Sequence, residues 1–279
     1  TKAGGDNFYM FGEVCTRDRN YWYRNTPGLS APFYTWKESK EYPWSDDPEK
    51  NIELTEEEFN DNADIESQPT SDNAFLNGND YHTPDRSKFS GMNVIDFPMH
   101  WNFKNARDAF SVALAGDHSY NDPTWNVTYV DSHDYAPDCA PEGERFNQDQ
   151  KVWAENLNLM FTFRGIPCIY YGSEIEFKKG KNIDPANQKT TFEESGRAYY
   201  GENLEGDVTA TDFGEYTASG TVAETLKHPL AQHIIRLNKI RRAIPALQKG
   251  QYSTEGVSGD GMAYKRRYTD NETDRKSTR

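Results

Sequence analysis

Two carboxylic acids in this chain stand where apolar segments end. Glu13 lies at the end of the apolar run that begins at residue 8, and Asp134 ends the segment of residues 129–134. A glycosidase needs one carboxyl group to protonate the leaving oxygen and a second carboxylate to meet the positive charge that develops at the sugar carbon. The pair therefore suggests sugar chemistry, provided that the fold brings both acids to one place.

The elements that must position these acids are strand-helix units. Short apolar runs at residues 8–14, 93–97, 127–131 and 166–171 alternate with longer stretches in helical spacing. The apolar positions of these stretches predict helices around residues 106–116, 152–165 and 229–245. Four such units make either a small open parallel sheet or half of an eight-stranded barrel. In both architectures ligands bind at the carboxyl ends of the strands.

Four polar residues follow the predicted strands directly, namely Glu13, His133, Asp134 and Glu174. Each alone is more often a solvated or lysine-paired strand end than a site residue. Their shared position at one edge of a sheet favours a common site instead. The adjacent His133 and Asp134 are suited to hydrogen-bonding vicinal sugar hydroxyls, whereas Glu174 is interpreted as structural or auxiliary.

The composition excludes several classes of partner. With 31 basic and 45 acidic residues, the formal net charge of -14 would repel a nucleic acid or an anionic membrane surface. No apolar run approaches the roughly 18 to 20 residues that cross a bilayer, so no membrane span is expected. The three cysteines, Cys15, Cys139 and Cys168, have no metal-ligand spacing and are interpreted as inert thiols.

A long insertion at about residues 15–90 separates the first two units. It is too long for an ordinary connection, and its early part is crowded with aromatic residues: Tyr21, Trp22, Tyr23, Tyr34, Trp36, Tyr42 and Trp44. These rings could stack on glucose units or could form a local core for the loop, and the sequence favours neither interpretation. The acidic stretch at residues 49–66 is interpreted as a solvated surface.

Three motifs occur along the chain in a fixed order. They are Phe11-Gly12-Glu13-Val14, Val130-Asp131-Ser132-His133-Asp134 and Gly165-Ile166-Pro167-Cys168-Ile169-Tyr170-Tyr171-Gly172-Ser173-Glu174. In this order, on successive predicted strands, they resemble the alpha-amylase family, glycoside hydrolase family 13. A lone Gly-Glu or His-Asp would be a weak signal, but the ordered set is specific, and the likeness extends over nearly the whole chain.

The resemblance implies an α/β fold, the (β/α)8 TIM barrel. Residues 1–250 would supply strands five to eight with their helices, and residues 251–279 would begin the C-terminal β-sandwich domain. The implied activity is retaining hydrolysis of alpha-1,4-glucosidic bonds in starch or related alpha-glucans, in an extracellular enzyme. Glu13 would be the general acid and base, Asp134 would bind sugar hydroxyls and stabilise the transition state, and His133 would hold the same sugar. Burial near aromatic and acidic neighbours is expected to tune Glu13.

The chain also departs from the family pattern. The motifs of strands three and four have no counterpart, so the nucleophilic aspartate is absent and the chain alone is expected to be inactive. From the residues alone Asp134 could be cast as the nucleophile, but the family pattern gives that role to an upstream aspartate. Calcium is a possible cofactor of the complete enzyme, with ligands mostly in the other half, and no metal or cofactor is expected in this half. Ser132 replaces the family's usual asparagine.

A second function remains open on these residues. The chain could be a non-catalytic alpha-glucan-binding or structural member that retains the fold and the aromatic surface without complete chemistry. The sequence predicts no oligomeric state.

Overall fold

The computed structural model describes residues 8–14, 21–23, 26–28, 32–62, 68–76, 84–134, 137, 145–176, 208–212, 215–218, 225–259, 261–270 and 275–278. The α-helices in these ranges are α1 (Pro48–Asp61), α2 (Phe97–Asn102), α3 (Ala106–Gly116), α4 (Gln150–Thr162), α5 (Pro229–Ala243) and α6 (Pro245–Lys249). The strands are β1 (Phe11–Gly12), β2 (Tyr21–Tyr23), β3 (Thr26–Gly28), β4 (Asn93–Val94), β5 (Val127–Thr128), β6 (Ile166–Pro167), β7 (Val208–Asp212), β8 (Glu215–Ala218), β9 (Gln251–Ser253), β10 (Lys265–Asp270) and β11 (Arg275–Thr278).

Four short parallel strands lie side by side in chain order. β1 pairs with β4, a single bridge joins Ile95 to Val127, and β5 pairs with β6. This order is the one that successive strand-helix units dictate, because each crossover returns the chain to the neighbouring position in the sheet. Each strand has only two residues in regular pairing. Among the described residues the four strands do not close into a barrel.

The second strand is shorter than its apolar run predicts. The carboxylate of Asp96 accepts a hydrogen bond from the backbone N–H of Met99 at 3.0 Å and so caps a new helix, α2. Pro98 lies in the first turn of that helix, where its missing N–H has no cost. The expectation that residues 93–97 form one strand is therefore wrong at its end, since Phe97 is helical.

The three longer helices that follow the strands lie where their patterns predict, although α4 ends at Thr162 and α5 at Ala243, slightly before the predicted stops. The side chain of Asn105 caps α3 by accepting from the N–H of Asp108, and α3 ends at Gly116 as expected. Asp149 caps α4 through two backbone N–H groups, and Pro229 opens α5. These side chains satisfy N–H groups that have no partner inside the helix.

One apolar core joins α3, α4 and α5 to the C-terminal segment. The rings of Phe110 and Phe163 meet edge to face at 4.9 Å, and Trp153 packs against Phe146 at 4.4 Å. Tyr252 of β9 belongs to the same cluster and is fully buried. Since β9 pairs with β10, and β10 with β11, the antiparallel sheet is anchored to this core.

The described part of the insertion is ordered by a helix and a small aromatic cluster. Most of the acidic stretch forms α1, which Asp47 caps and which has no fully buried side chain. Its acids are mainly exposed, but Glu58 is half-buried, and burial raises its pKa. Phe59 of α1 meets Phe33 edge to face at 5.5 Å. None of the helices in the described ranges has the length and apolar character needed to cross a bilayer.

Candidate active site

Glu13 and Asp134 line one cavity, which has a volume of about 160 Å³. Glu13 follows β1 directly, and Asp134 lies beyond the carboxyl end of β5. The cavity also borders the rings of Phe97, Tyr129 and Tyr170. The two acids are therefore neighbours of a common space at the carboxyl ends of the parallel strands, with an apolar floor between them.

His133 and Asp134 form a contact pair at the rim of this cavity. The Nε2 of His133 lies 3.2 Å from Oδ2 of Asp134, and the exposed fractions of the two side chains are 61% and 26%. The backbone N–H of Asp134 donates to Oγ of Ser132 at 3.2 Å. This turn holds the carboxylate half-buried while the imidazole stays open to solvent.

Glu13 is exposed, in contrast to the burial expected of a tuned acid. The cavity of about 160 Å³ is smaller than the roughly 300 to 1,000 Å³ of typical ligand pockets. In the segment that leads into β1, Phe8 and Met10 are 76% and 41% exposed, and Phe11 on β1 is 48% exposed, which is unusual for large apolar side chains beside a sheet edge. The described residues around Glu13 thus enclose less space than a typical ligand pocket and leave apolar surface beside it exposed.

A buried ion pair, which the sequence analysis did not single out, supports the wall beneath Asp134. The Nε of Arg145 donates to Oδ2 of Asp131 at 2.6 Å, and both side chains are fully buried. The N–H of Phe146 donates to the other carboxylate oxygen at 3.2 Å. Burial raises the pKa of Asp131, while the charge and hydrogen bond of Arg145 lower it.

Arg145 also connects the loops that follow β5 and β6. Its Nη2 donates to the carbonyl oxygen of Tyr171 at 2.9 Å and to Oγ of Ser173 at 3.3 Å. The guanidinium lies 4.5 Å from the ring centre of Tyr170, which lines the cavity. The sequence does contain one sign of this ion pair, namely Asp131 inside an apolar segment. A carboxylate that is buried in this way requires a charged or hydrogen-bonding partner.

Glu174 does not border the cavity. It lies in a short 3-10 turn, Ser173–Ile175, and is half-buried. Cys168 does line the cavity; its thiol is free, and partial burial raises its pKa. Cys15 and Cys139 lie outside the described residues. Within those residues, no group of three His, Cys, Asp or Glu side chains is close enough to hold a metal ion.

A second buried charge cluster fixes the segments next to the strands. Arg164, which precedes β6, places Nη1 2.5 Å from Oδ2 of Asp96 and Nη2 2.8 Å from Oδ1 of Asp117. All three side chains are buried. Burial, reinforced by the charge of Asp96 and opposed by Arg164, raises the pKa of Asp117 to about 7. One guanidinium therefore serves two buried carboxylates.

The aromatic residues of the insertion divide into two groups. Trp36 and Tyr42 are 8% and 6% exposed, and they donate hydrogen bonds to the carbonyl oxygen of Ser119 and to Asp61, both at 2.8 Å. These two rings belong to a local core. Trp44 is 42% exposed. The side chains of residues 21–23 are outside the described part.

Comparison with known proteins identifies a glucanotransferase and an amylase among the relatives of this chain. No family model matches the chain. The cyclomaltodextrin glucanotransferase of Bacillus sp. (strain 38-2) is 25% identical over 196 residues, which are 65% of this chain and 22% of that protein. The beta/alpha-amylase of Paenibacillus polymyxa is 25% identical over 186 residues, which are 62% of this chain and 12% of that protein. The chain therefore spans less than a quarter of the length of these relatives.

A solved structure of alpha-amylase from Geobacillus thermoleovorans, complexed with acarbose, aligns with 96% of this chain and 41% of its own. The TM-score is 0.44 and the sequence identity is 18%. The sequence relatives are enzymes of the alpha-amylase type, and they confirm the resemblance to the alpha-amylase family that the three motifs predict.

Proposed function

We propose that this chain is the carboxyl-terminal half of the catalytic barrel of an alpha-amylase-type glycoside hydrolase. Its substrate would be starch or a related alpha-glucan, cleaved at alpha-1,4 bonds with retention of configuration. Residues 1–250 would contribute strands five to eight and residues 251–279 the start of a β-sandwich domain. The observation that supports this best is that Glu13 and Asp134 line the same cavity at the carboxyl ends of the strands.

Glu13 has the role of acid and base in this proposal. It protonates the glucosidic oxygen as the bond to the sugar carbon breaks, and it then deprotonates the water that releases the sugar. Such an acid works best with a pKa near the working pH, which requires burial or nearby negative charge. Because Glu13 is exposed in the described chain, that environment must come from groups other than the described residues.

Asp134 and His133 bind the sugar on which the reaction occurs. The half-buried carboxylate of Asp134 accepts hydrogen bonds from sugar hydroxyls and stabilises the positive charge of the transition state. His133 lies against it and donates to the same sugar. The rings of Phe97 and Tyr170 offer apolar surface to the faces of glucose units.

The nucleophile belongs to an aspartate on a neighbouring strand that this chain does not contain. The exposed apolar side chains of Phe8 and Met10, which precede β1, and of Phe11 on β1 support this, because another strand with its own side chains would cover them. The chain of 279 residues by itself would then bind glucan without cleaving it. Secretion is part of the same proposal.

The test is the substitution Glu13→Gln in the full natural polypeptide that contains this chain. Turnover of soluble starch, measured as reducing ends and as loss of iodine colour, should fall by at least the 10²- to 10⁴-fold typical of a lost acid-base group. Starch binding should persist. Glu174→Gln, which changes a strand-end acid outside the cavity, is the matched control and should keep most of the activity. Unchanged turnover in Glu13→Gln would refute the assignment.

The same assay separates the proposal from its alternative. If the unaltered full polypeptide retained starch but released no reducing ends and no cyclic products, it would be a glucan-binding or structural protein. Cyclic products are included because one relative named above is a cyclomaltodextrin glucanotransferase. If cyclic products dominated over linear ones, the activity would be glucan transfer and not hydrolysis.

A further inference from the structure

A second cavity, of about 400 Å³, opens at the other end of the parallel strands. Trp125, which precedes β5, and Ile166, which begins β6, both line it. It is therefore at the amino ends of these strands, whereas Glu13 and Asp134 are at the carboxyl ends. Its other wall comes from α5, α6 and β10, which contribute Arg241, Lys249 and Tyr268.

The charge of this cavity is opposite to that of the chain. Arg86, Arg241 and Lys249 line it, and no acidic residue does, although acidic residues exceed basic ones by 45 to 31 in the sequence. Among the described residues none of the three cations forms an ion pair with a carboxylate. Asp122, whose carboxyl group is influenced by the charge of Arg86, is buried and bonded to Thr124.

Each of the three cations also contacts an uncharged neighbour. Arg241 donates to the carbonyl oxygens of Phe161 and Gly165 at 2.8 and 3.0 Å, which uses two of the five N–H groups of a guanidinium. Arg86 lies 5.0 Å from the ring centre of Trp125 and Lys249 lies 5.9 Å from that of Tyr268. Burial lowers the pKa of Arg241, which is the expected cost of desolvating a charge without a counterion.

We propose that this cavity binds the phosphate group of a small ligand, either free phosphate or a phosphate ester of a small organic molecule. Guanidinium groups match the geometry of phosphate oxygens and form short, charge-assisted hydrogen bonds with them. The volume is within the range of small-molecule sites, and the rings of Trp125 and Tyr268 provide apolar surface for an organic remainder. The inference does not depend on the function proposed for Glu13 and Asp134.

Isothermal titration of the full natural polypeptide tests this inference, with inorganic phosphate, glucose 6-phosphate and glucose as probes at constant ionic strength. At least one phosphate-bearing probe should bind saturably, and glucose should not give heat at this site. Arg86 and Lys249 are exposed, so the fold should tolerate their replacement by alanine. Arg86→Ala and Lys249→Ala should each weaken phosphate binding by about tenfold or more. Tighter binding of the ester than of phosphate identifies an organic ligand, and equal binding identifies the free ion.

The matched control is Lys50→Ala on α1, which removes one exposed positive charge outside the cavity. It should leave phosphate affinity within about twofold. Failure of both phosphate probes to bind saturably would overturn the proposal. So would an equal loss of affinity in Lys50→Ala and Arg86→Ala, because the interaction would then reflect net charge alone. Arg241→Lys supplies a third readout, since it keeps the charge but loses the planar fork and should weaken phosphate binding.

Discussion

Arg145 and Asp131 form a charge-assisted hydrogen bond of 2.6 Å with both side chains fully buried. Asp131 is in the same segment as His133 and Asp134, so the ion pair fixes the loop on which the proposed sugar-binding residues lie. A buried pair contributes little net stability compared with apolar residues of the same volume. Loss of one partner, however, leaves an uncompensated charge in the interior.

Replacement of Arg145 by Met should therefore lower the free energy of unfolding by about 3 to 5 kcal/mol. The double variant Arg145→Met with Asp131→Asn should lose less than the sum of the two single losses, because neither charge is then left alone. Urea denaturation measures all three. Lys40→Met, which breaks solvent-exposed ion pairs with Glu57 and Asp61, is the control and should leave the unfolding midpoint nearly unchanged. Strict additivity in the cycle would contradict the prediction.

Asp117 should make stability fall as the pH rises toward neutrality. Its pKa is about 7 in the folded chain against an ordinary value of 3.8, because it is buried and shares Arg164 with Asp96. The folded state therefore holds a proton that the unfolded state has released between these two values. The contribution is fully present below about pH 4 and is lost as the pH rises through about 7.

The variant Asp117→Asn isolates this effect from all other titrations, since its amide cannot ionise. From pH 5 to pH 8, the free energy of unfolding of the unaltered chain should decrease relative to that of the variant. Urea denaturation at one-unit intervals measures the difference. Parallel pH profiles for the two proteins would mean that Asp117 keeps an ordinary pKa in the folded state.

Local signals explain which elements the sequence predicts correctly. The bounds of α3 follow from its apolar spacing, the cap at Asn105 and the stop at Gly116, all of which lie within a few residues. The side-by-side order of the parallel strands follows from the alternation of strands and helices. At Phe97 the apolar run predicts a strand, but the side chain of Asp96 caps a helix that begins there.

The candidate site was predictable only in part, for a related reason. The shared cavity of Glu13 and Asp134 was expected, because both follow strands whose carboxyl ends lie together. The role of Arg145 was not, since its contact with Asp131 depends on how the loops after β5 and β6 pack. The exposure of Glu13 depends on which other segments cover the edge of β1. The residues around Glu13 do not predict that coverage.

Trp36 is buried and Trp44 is exposed, so their replacement by alanine should change stability by different amounts. Trp36→Ala should lower the free energy of unfolding by about 3 to 5 kcal/mol, because a nearly buried ring with a hydrogen bond is lost. Trp44→Ala should cost less than about 1 kcal/mol, because its ring is 42% exposed. Urea denaturation measures both.

The same two variants test whether the exposed ring contacts glucan. Retardation of the full natural polypeptide in starch-containing native gels should weaken in Trp44→Ala, since a ring stacked on sugar adds apolar contact area. Lys50→Ala, another change at an exposed position of the insertion, is the control. If Trp44→Ala left the retardation unchanged, Trp44 would not be a glucan-stacking residue.

Gly165 occupies a position that no other residue fits. Its φ is +87°, and an added Cβ would lie 2.6 Å from Cγ2 of Thr128 and 2.9 Å from the carbonyl oxygen of Asn126. Both neighbours belong to the segment around β5, against which β6 begins. A methyl group there would combine backbone strain with a clash that the strand pairing cannot relieve, so Gly165→Ala should lower the free energy of unfolding by about 2 to 4 kcal/mol.

Gly116, at the end of α3, is the matched control for this substitution. Its backbone is not left-handed, and an added Cβ would meet no atom within 4 Å. Gly116→Ala should therefore raise the free energy of unfolding by about 0.4 to 1 kcal/mol, mainly by restricting the unfolded chain. Urea denaturation of the two variants gives opposite signs if the close approach of β5 and β6 requires the glycine. Equal and small effects would show that β6 begins elsewhere, and the parallel order of the last two strands would have to be revised.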